Sequence, residues 1–297
     1  MQYVLSLMIV LSLTMFTGGC NDTGGTGGSA GTDGSAGTGG SAGAGGLGGQ
    51  GGTGGVASAC GPIPSNVIDV TDEDELFAAL TSAPAGSTVR LPAGTFTPPI
   101  RNWPLPEEQN TGEWPTQVLV KNVTLIGAGN GQTTLAMLGD EFGSVGLTTF
   151  GDAILRDLEI DAGAFWGVTA IGAKSLTLCN VTVKTDGADG VQFSQWPGGG
   201  DGFVGIYDSE IAYLGSTERH VGIDLYCLDQ SGDISAEIRN SRISGWYVGV
   251  SYTNLTTESC SVSLTADCKG FTNNELANVM YTECTPPDCT QFVEECP

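Results

Sequence analysis

Between Val120 and Leu276 the chain repeats one short pattern six times: apolar, any, Asn or Asp, any, any, apolar. The central residues are Asn122, Asp157, Asn180, Asp208, Asn240 and Asn273, separated by 35, 23, 28, 32 and 33 residues. Such steps fall in the range of repeat architectures. A second motif, Gly-apolar-x-apolar, keeps phase with the first at Gly146, Gly167, Gly190, Gly222 and Gly249, with Asn278 leading a last copy. Around each corner apolar and polar residues alternate over four to six positions, the period of a half-buried strand. Asn and Asp enter the left-handed backbone region at little cost and bond to nearby backbone, so each copy reads as a tight corner between two short strands. One such unit cannot bury its inward side chains alone. Several must stack, and the expectation is an all-β solenoid with the six Asn/Asp residues in one column. An antiparallel sandwich of short strands is the alternative, although hairpin signals such as Asn-Gly are scarce.

The region ahead of the repeats divides into two parts. Residues 3–16 are apolar and uncharged, too short for the roughly 20 residues a bilayer requires, and they read as the core of a signal peptide over residues 1–19. Gly18-Gly19-Cys20 resembles the bacterial lipobox, which implies lipidation at Cys20. Thr17 stands where an aliphatic residue is usual, and no Lys or Arg precedes the apolar run. Residues 21–57 contain 18 Gly among 37 positions and almost nothing to bury. With Cys20 they form a linker expected to be disordered, spanning roughly 30–37 Å as a flexible coil. The expected product is an exported lipoprotein, held by its lipid anchor at the bacterial cell envelope or surface, with its folded domain at residues 58–297.

That domain opens with Thr71 and Asp74 in capping-box spacing and with Leu76, Phe77 and Leu80 on one helical face. The stretch Gly86-Ser87-Thr88-Val89-Arg90-Leu91-Pro92-Ala93-Gly94-Thr95-Phe96 follows. Helix, strand and turn together resemble the opening of right-handed parallel β-helix proteins of the pectin-lyase-like superfamily, whose coils also carry the apolar-x-Asn-x-x-apolar corner. The resemblance covers about Asn66 to Tyr281. It implies a right-handed parallel β-helix with an N-terminal capping helix that shields the first strand edges. It leaves activity open, because that superfamily holds lyases, hydrolases, esterases, epimerases, adhesins and non-enzymes.

Apart from Cys20 there are eight cysteines: Cys60, Cys179, Cys227, Cys260, Cys268, Cys284, Cys289 and Cys296. An even count in an exported chain argues for disulfides, with 105 pairings open. Five of the eight follow residue 259, so a disulfide-stapled C-terminal end is expected. The spacing and the single His argue against zinc, and no metal site is expected.

Formal charge is −23, with nearly all of it on the folded domain. Such a surface repels nucleic acid and polyanionic sugars. A neutral polysaccharide, or an acidic one bridged by calcium, is the partner that charge admits; no other cofactor is expected, and the chain reads as a monomer. Residues 185–191 (Thr-Asp-Gly-Ala-Asp-Gly-Val) resemble the first catalytic element of polygalacturonase-like hydrolases, placing Asp189 at a strand start. The next coil has Glu218-Arg219-His220-Val221-Gly222 where paired Asp is usual, and the one after has Trp246-Tyr247-Val248-Gly249 where His-Gly is usual. Asp189, Arg219, His220 and Asp224 are therefore the candidate catalytic residues, with Arg219 or His220 as a base and a structural His as the plain alternative. One coil and three residues separate the backbones of Asp189 and Asp224 by about 11 Å, wide for a glycosidase pair. Gln192, Tyr226 and Ser251 fall on outward strand positions, and with Trp246 they are the candidate sugar-binding residues. Two functional classes remain: a surface module that holds polysaccharide without catalysis, and a carbohydrate-active lyase or glycosidase.

Overall fold

The structure, a computed structural model, describes residues 60–63, 65–104, 113–137, 145–163, 166–187, 189–195, 200–215, 220–227, 232–254, 261–266, 271–272 and 276–284. The signal peptide, Cys20, the Gly-rich linker, the Asn273 corner, Arg219, and Cys260, Cys268, Cys289 and Cys296 lie outside the described residues.

Among the described residues the chain is all-β with a single helix, and its strands form one long, predominantly parallel sheet. From Gly202–Tyr207 onward each strand pairs with the third strand along, for example Glu210–Tyr213 with Arg242–Ser244. Parallel pairs at that interval sort the strands into three columns, and one strand from each makes a rung. The glycine column holds residues 116–121, 145–150 and 166–171, then Val191–Ser194, Val221–Cys227, Val248–Asn254 and Leu276–Cys284. The approach column precedes the Asn/Asp corner and runs from Val67–Asp69 to Val262–Ala266. The exit column follows the corner and runs from Gly94–Phe96 to Phe271–Thr272. Val145–Asp161 and Trp166–Thr185 are long enough to contribute to all three columns in turn. Inward residues of successive rungs, such as Leu147, Val168, Val191 and Ile223, are each 0% exposed and make one continuous core.

The corners explain the first motif. Asn122, Asp157, Asn180, Asp208 and Asn240 all have φ between 50° and 54°, the region these two residue types tolerate best. Four of them stack between the approach and exit columns. Asn122 does not: it turns the chain from the glycine column into the approach column, where the next rung has Gly151 at φ 62°. Its carboxamide oxygen accepts from the Asp152 N–H at 2.9 Å. The expected single column of six therefore becomes two corner positions. At Asn122's rung, Gly127 takes the approach–exit corner, with no room for a side chain beside the Asp157 carbonyl.

Glycines of the second motif have a different cause. A Cβ on Gly190 would lie 2.4 Å from Ile211 Cγ2 and 2.6 Å from the Gly222 carbonyl oxygen; one on Gly222 would lie 2.6 Å from the Gly249 carbonyl. The exit column meets the glycine column too closely for any side chain there.

The helix Glu73–Ser82 buries Leu76, Ala79 and Leu80 in the core. Its N-cap is Asp72, one residue later than the spacing of Thr71 and Asp74 suggests: Asp72 accepts from the Glu75 N–H, and Glu75 accepts from Thr71. Phe77 meets Trp103 edge-on at 4.6 Å. Trp103 is 1% exposed and lies on Arg101–Pro104, which pairs antiparallel with Glu113–Lys121. This Trp therefore packs over the helix.

Cys60 is bonded to Cys179 across 119 residues. Cys179 ends the fifth approach strand, whereas Val67, seven residues past Cys60, begins the first. The intervening chain is a strap that crosses four rungs, about 19 Å at ~4.8 Å each. Arg156 fastens it by donating to the Gly61 carbonyl at 2.9 Å. The described bridge thus ties the N-terminal end of the domain. The cysteines of the expected C-terminal staple fall outside the described residues, except Cys284, of which only the backbone is described.

Candidate functional site

The later rungs of the glycine column gather most of the candidate residues. Gln192 is in register with Asp224, and Asp224 with Ser251; two residues on, Ser194 aligns with Tyr226. Inward Val191, Ile223, Leu225 and Val250 alternate with these outward residues because successive strand side chains face opposite ways.

Asp224 is a carboxylate at 4% exposure. Burying a charge is costly unless donors replace its water. Here Ser251 Oγ donates to Asp224 Oδ1, and the Tyr226 hydroxyl donates to the same carboxylate. Gln192 in turn donates to the Tyr226 oxygen. Burial holds the Tyr226 phenol well above its ordinary pKa, and the charges of Asp224 and Asp189 push the same way. At neutral pH this residue is an un-ionised donor to Asp224.

Asp189 stands at the strand start beside this cluster. Its Oδ1 accepts from the Val221 N–H, one rung on, at 2.9 Å, and His220 Nδ1 lies 3.8 Å from the same oxygen. Both side chains are 16% exposed. The imidazole rests against Tyr213 at 5.5 Å, and Tyr213 against Trp246 at 5.2 Å. The bond from Asp189 to the next rung has counterparts away from this face: Asp201 Oδ1 accepts from Asp233 N, and Asp233 Oδ1 from Ser261 N, at 3.1 and 2.9 Å. At those positions the carboxylate serves the backbone, and Asp189 Oδ1 does the same.

Trp246, expected as a stacking platform for sugar, is buried at 1% exposure and donates from Nε1 to the Ile211 carbonyl at 3.1 Å. Its ring fills the volume left over Gly190 and Gly222, where added Cβ atoms would lie 2.9 and 3.1 Å from it. It is a core plug with no ring face to offer. Ser251, at 6% exposure, is likewise covered. The structure thus brings Asp189, His220, Gln192, Asp224, Tyr226 and Ser251 together, and among them Gln192, Tyr226, Asp189 and His220 keep partial access to solvent.

Two contributors carry no motif. Tyr213 lies on an exit strand, and only the register brings it to His220. Thr169 lies one rung before Gln192 on the same outward row. It is 1% exposed, and its hydroxyl has no hydrogen-bond partner. Ion pairs of the described Lys and Arg side chains lie at the helix or on the approach and exit columns, as with Lys184–Glu159 and Arg156–Asp157. Among the described residues no group of three or more His, Cys, Asp and Glu is arranged to hold a metal ion. No described helix is long and apolar enough to cross a membrane.

No protein family matches this chain, and searches of curated proteins and of solved structures also return no match.

Proposed function

We propose that this chain is a lipid-anchored, exported right-handed parallel β-helix of the pectin-lyase-like kind. In this reading the glycine-column face holds a neutral polysaccharide at the cell envelope without cleaving it. The third-strand parallel register and the left-handed Asn/Asp corners support that fold. The observation that carries the binding role is the interlocked cluster of Gln192, Tyr226, Asp224 and Ser251. Its carboxylate is already met by two hydroxyl donors, and its phenol is held neutral. A general acid or base needs a proton that exchanges with the substrate. Asp224 is occupied and covered, whereas a fixed array of donors and acceptors suits sugar hydroxyls. Retention of the purified protein on immobilised neutral polysaccharides tests this, with and without calcium. Tyr226→Ala should weaken retention more than Asn180→Ala does. Equal weakening with the fold intact, or no retention on any neutral polysaccharide, would overturn the reading.

The second reading is a lyase or glycosidase, and the 3.8 Å approach of His220 to Asp189 favours it. It requires release of new chain ends from the same polysaccharides, lost in Asp189→Asn. Retention without any new ends would rule it out.

A further inference from the structure

We infer that the strap beginning at Cys60 is a redox-released cover over the outward side of the approach column. Arg90, Ile126, Arg156, Cys179, Tyr207 and Arg239 stand in register on one outward row of that column. The strap starts on this row at Cys179 and meets Arg156 at Gly61. It ends where the Asn66 carbonyl accepts from the Thr88 N–H at 2.7 Å. Between those points it crosses the strand Thr124–Ile126, whose outward residues Thr124 and Ile126 are 5% and 4% exposed. On the rung after Cys179 the Tyr207 ring takes over as cover: a Cβ added to Gly205 would lie 2.6 Å from its Cε2. Beyond that ring the same positions open, with Glu237 half-buried and Arg239 and Thr265 exposed.

The strap is held chiefly by sulfur. Every described residue from Gly61 to Asn66 is exposed, and none lies in a helix or strand. Ile63, its largest apolar side chain, is 48% exposed, so burial returns little against the chain entropy lost in fixing these residues. Arg156 donates to the Cys60 and Gly61 carbonyls at 3.5 and 2.9 Å while its Nε stays on Asp157. Cys179, by contrast, lies on a strand paired on both sides, next to Leu178 at 0% exposure. Opening the bond therefore frees the strap and leaves the rung in place. The step is thiol–disulfide exchange with a dithiol. One thiolate of the dithiol attacks Sγ of Cys60, which is half-buried where Cys179 is 1% exposed, and the Cys179 thiolate leaves. The second thiol then displaces Cys60 from the mixed disulfide, so the reductant departs as a disulfide and the protein keeps two thiols. The lifted strap uncovers Thr124 and Ile126, a face that the oxidised protein hides.

Two experiments on the full chain test this. In the first, folded wild type is reduced with dithiothreitol and alkylated with N-ethylmaleimide, and the rate at Cys60 is followed by peptide mass spectrometry. Cys60 should react within about tenfold of the rate of an unstructured cysteine peptide. A slower reaction would mean that the strap stays docked without its bond, and would overturn the inference. In the second, Cys60→Ser removes this bond alone. Hydroxyl-radical labelling of the Ile126 side chain should rise several-fold over the oxidised wild type, with the circular dichroism of the strands unchanged. Unchanged labelling of Ile126 overturns the inference. Loss of the strand spectrum overturns it too, because the bond would then hold the whole stack and not the strap.

Discussion

At the approach–exit corner carboxylate and amide alternate: Asn180 Nδ2 donates to Asp157 Oδ1 at 2.7 Å, and Asn240 donates in the same way to Asp208. On the outward face of the glycine column the polar residues follow no such order. Asp224 is held by hydroxyls from two rungs, while Thr169, two rungs before it, holds nothing. Both regions are built by the same repeat. The corner is a set of amide-to-carboxylate pairs between neighbouring rungs, on residues that share one left-handed backbone conformation. The outward row is under no such demand.

Four measurements break or sharpen that contrast. The largest effect is expected at the strap, which ends one residue before the Asn180 corner. Cys60→Ser, by opening a loop closed over 119 residues, should cost about 4–5 kcal/mol in the chain-entropy account, read as a shift in denaturant midpoint. A loss below about 1 kcal/mol would mean that the strap holds by Arg156 alone. Next is Gly190→Ala, whose new methyl meets the backbone of the following rung; overpacking of this kind costs typically 1–3 kcal/mol. A neutral outcome would show that the close approach of exit and glycine columns relaxes freely.

Asn180→Asp then tests the corner itself. It keeps a residue that accepts φ near 53° but sets three carboxylates on successive rungs, Asp157, the new Asp and Asp208. Like charges raise a carboxyl's folded-state pKa above its unfolded value, so the variant should lose about 1–2 kcal/mol at neutral pH. The loss should shrink as pH falls through the raised pKa and vanish near pH 4 or below. A deficit independent of pH would deny the charge argument. The smallest effect at neutral pH belongs to Tyr226→Phe, which takes one donor from Asp224 at a cost of about 1 kcal/mol. The wild type carries a signature that this variant lacks. Because the folded phenol ionises well above its unfolded pKa, its contribution is complete below about pH 10 and lost as pH rises beyond that. Alkaline melting curves of the two proteins should therefore converge, and parallel curves would contradict the burial of this hydroxyl.

Much of the stack was legible because it follows from local chemistry. Asn and Asp at fixed spacing declare left-handed corners, and glycines in phase declare a close approach. What the motif did not declare is which two columns a corner joins, since any left-handed turn between strands satisfies it; hence the displacement of Asn122. Thr71 and Asp72 are both good caps, and only the backbone decides between them. Trp246 was misread because exposure follows from volume left empty elsewhere, here by Gly190 and Gly222 on other rungs. The outward positions of Gln192, Asp224, Tyr226 and Ser251 could be read from strand alternation. Their enclosure could not, nor could the burial of the Thr169 hydroxyl without a partner, since a threonine in a strand carries no signal of its own. Among 105 pairings of eight cysteines, Cys60 with Cys179 was one of many.

The Cys60–Cys179 bond also fixes a load path. Tension applied between the chain ahead of Cys60 and the last rungs is carried through sulfur to Cys179, so the covalent route bypasses residues 61–178. The helix, the antiparallel hairpin and the first four rungs then bear no pull, and the force enters beside the face formed by Gln192, Asp224 and Tyr226. A pull on the chain ahead of Cys60 is felt first by the rungs that hold the candidate site, and reduction of one bond would move that entry point back to the first strand.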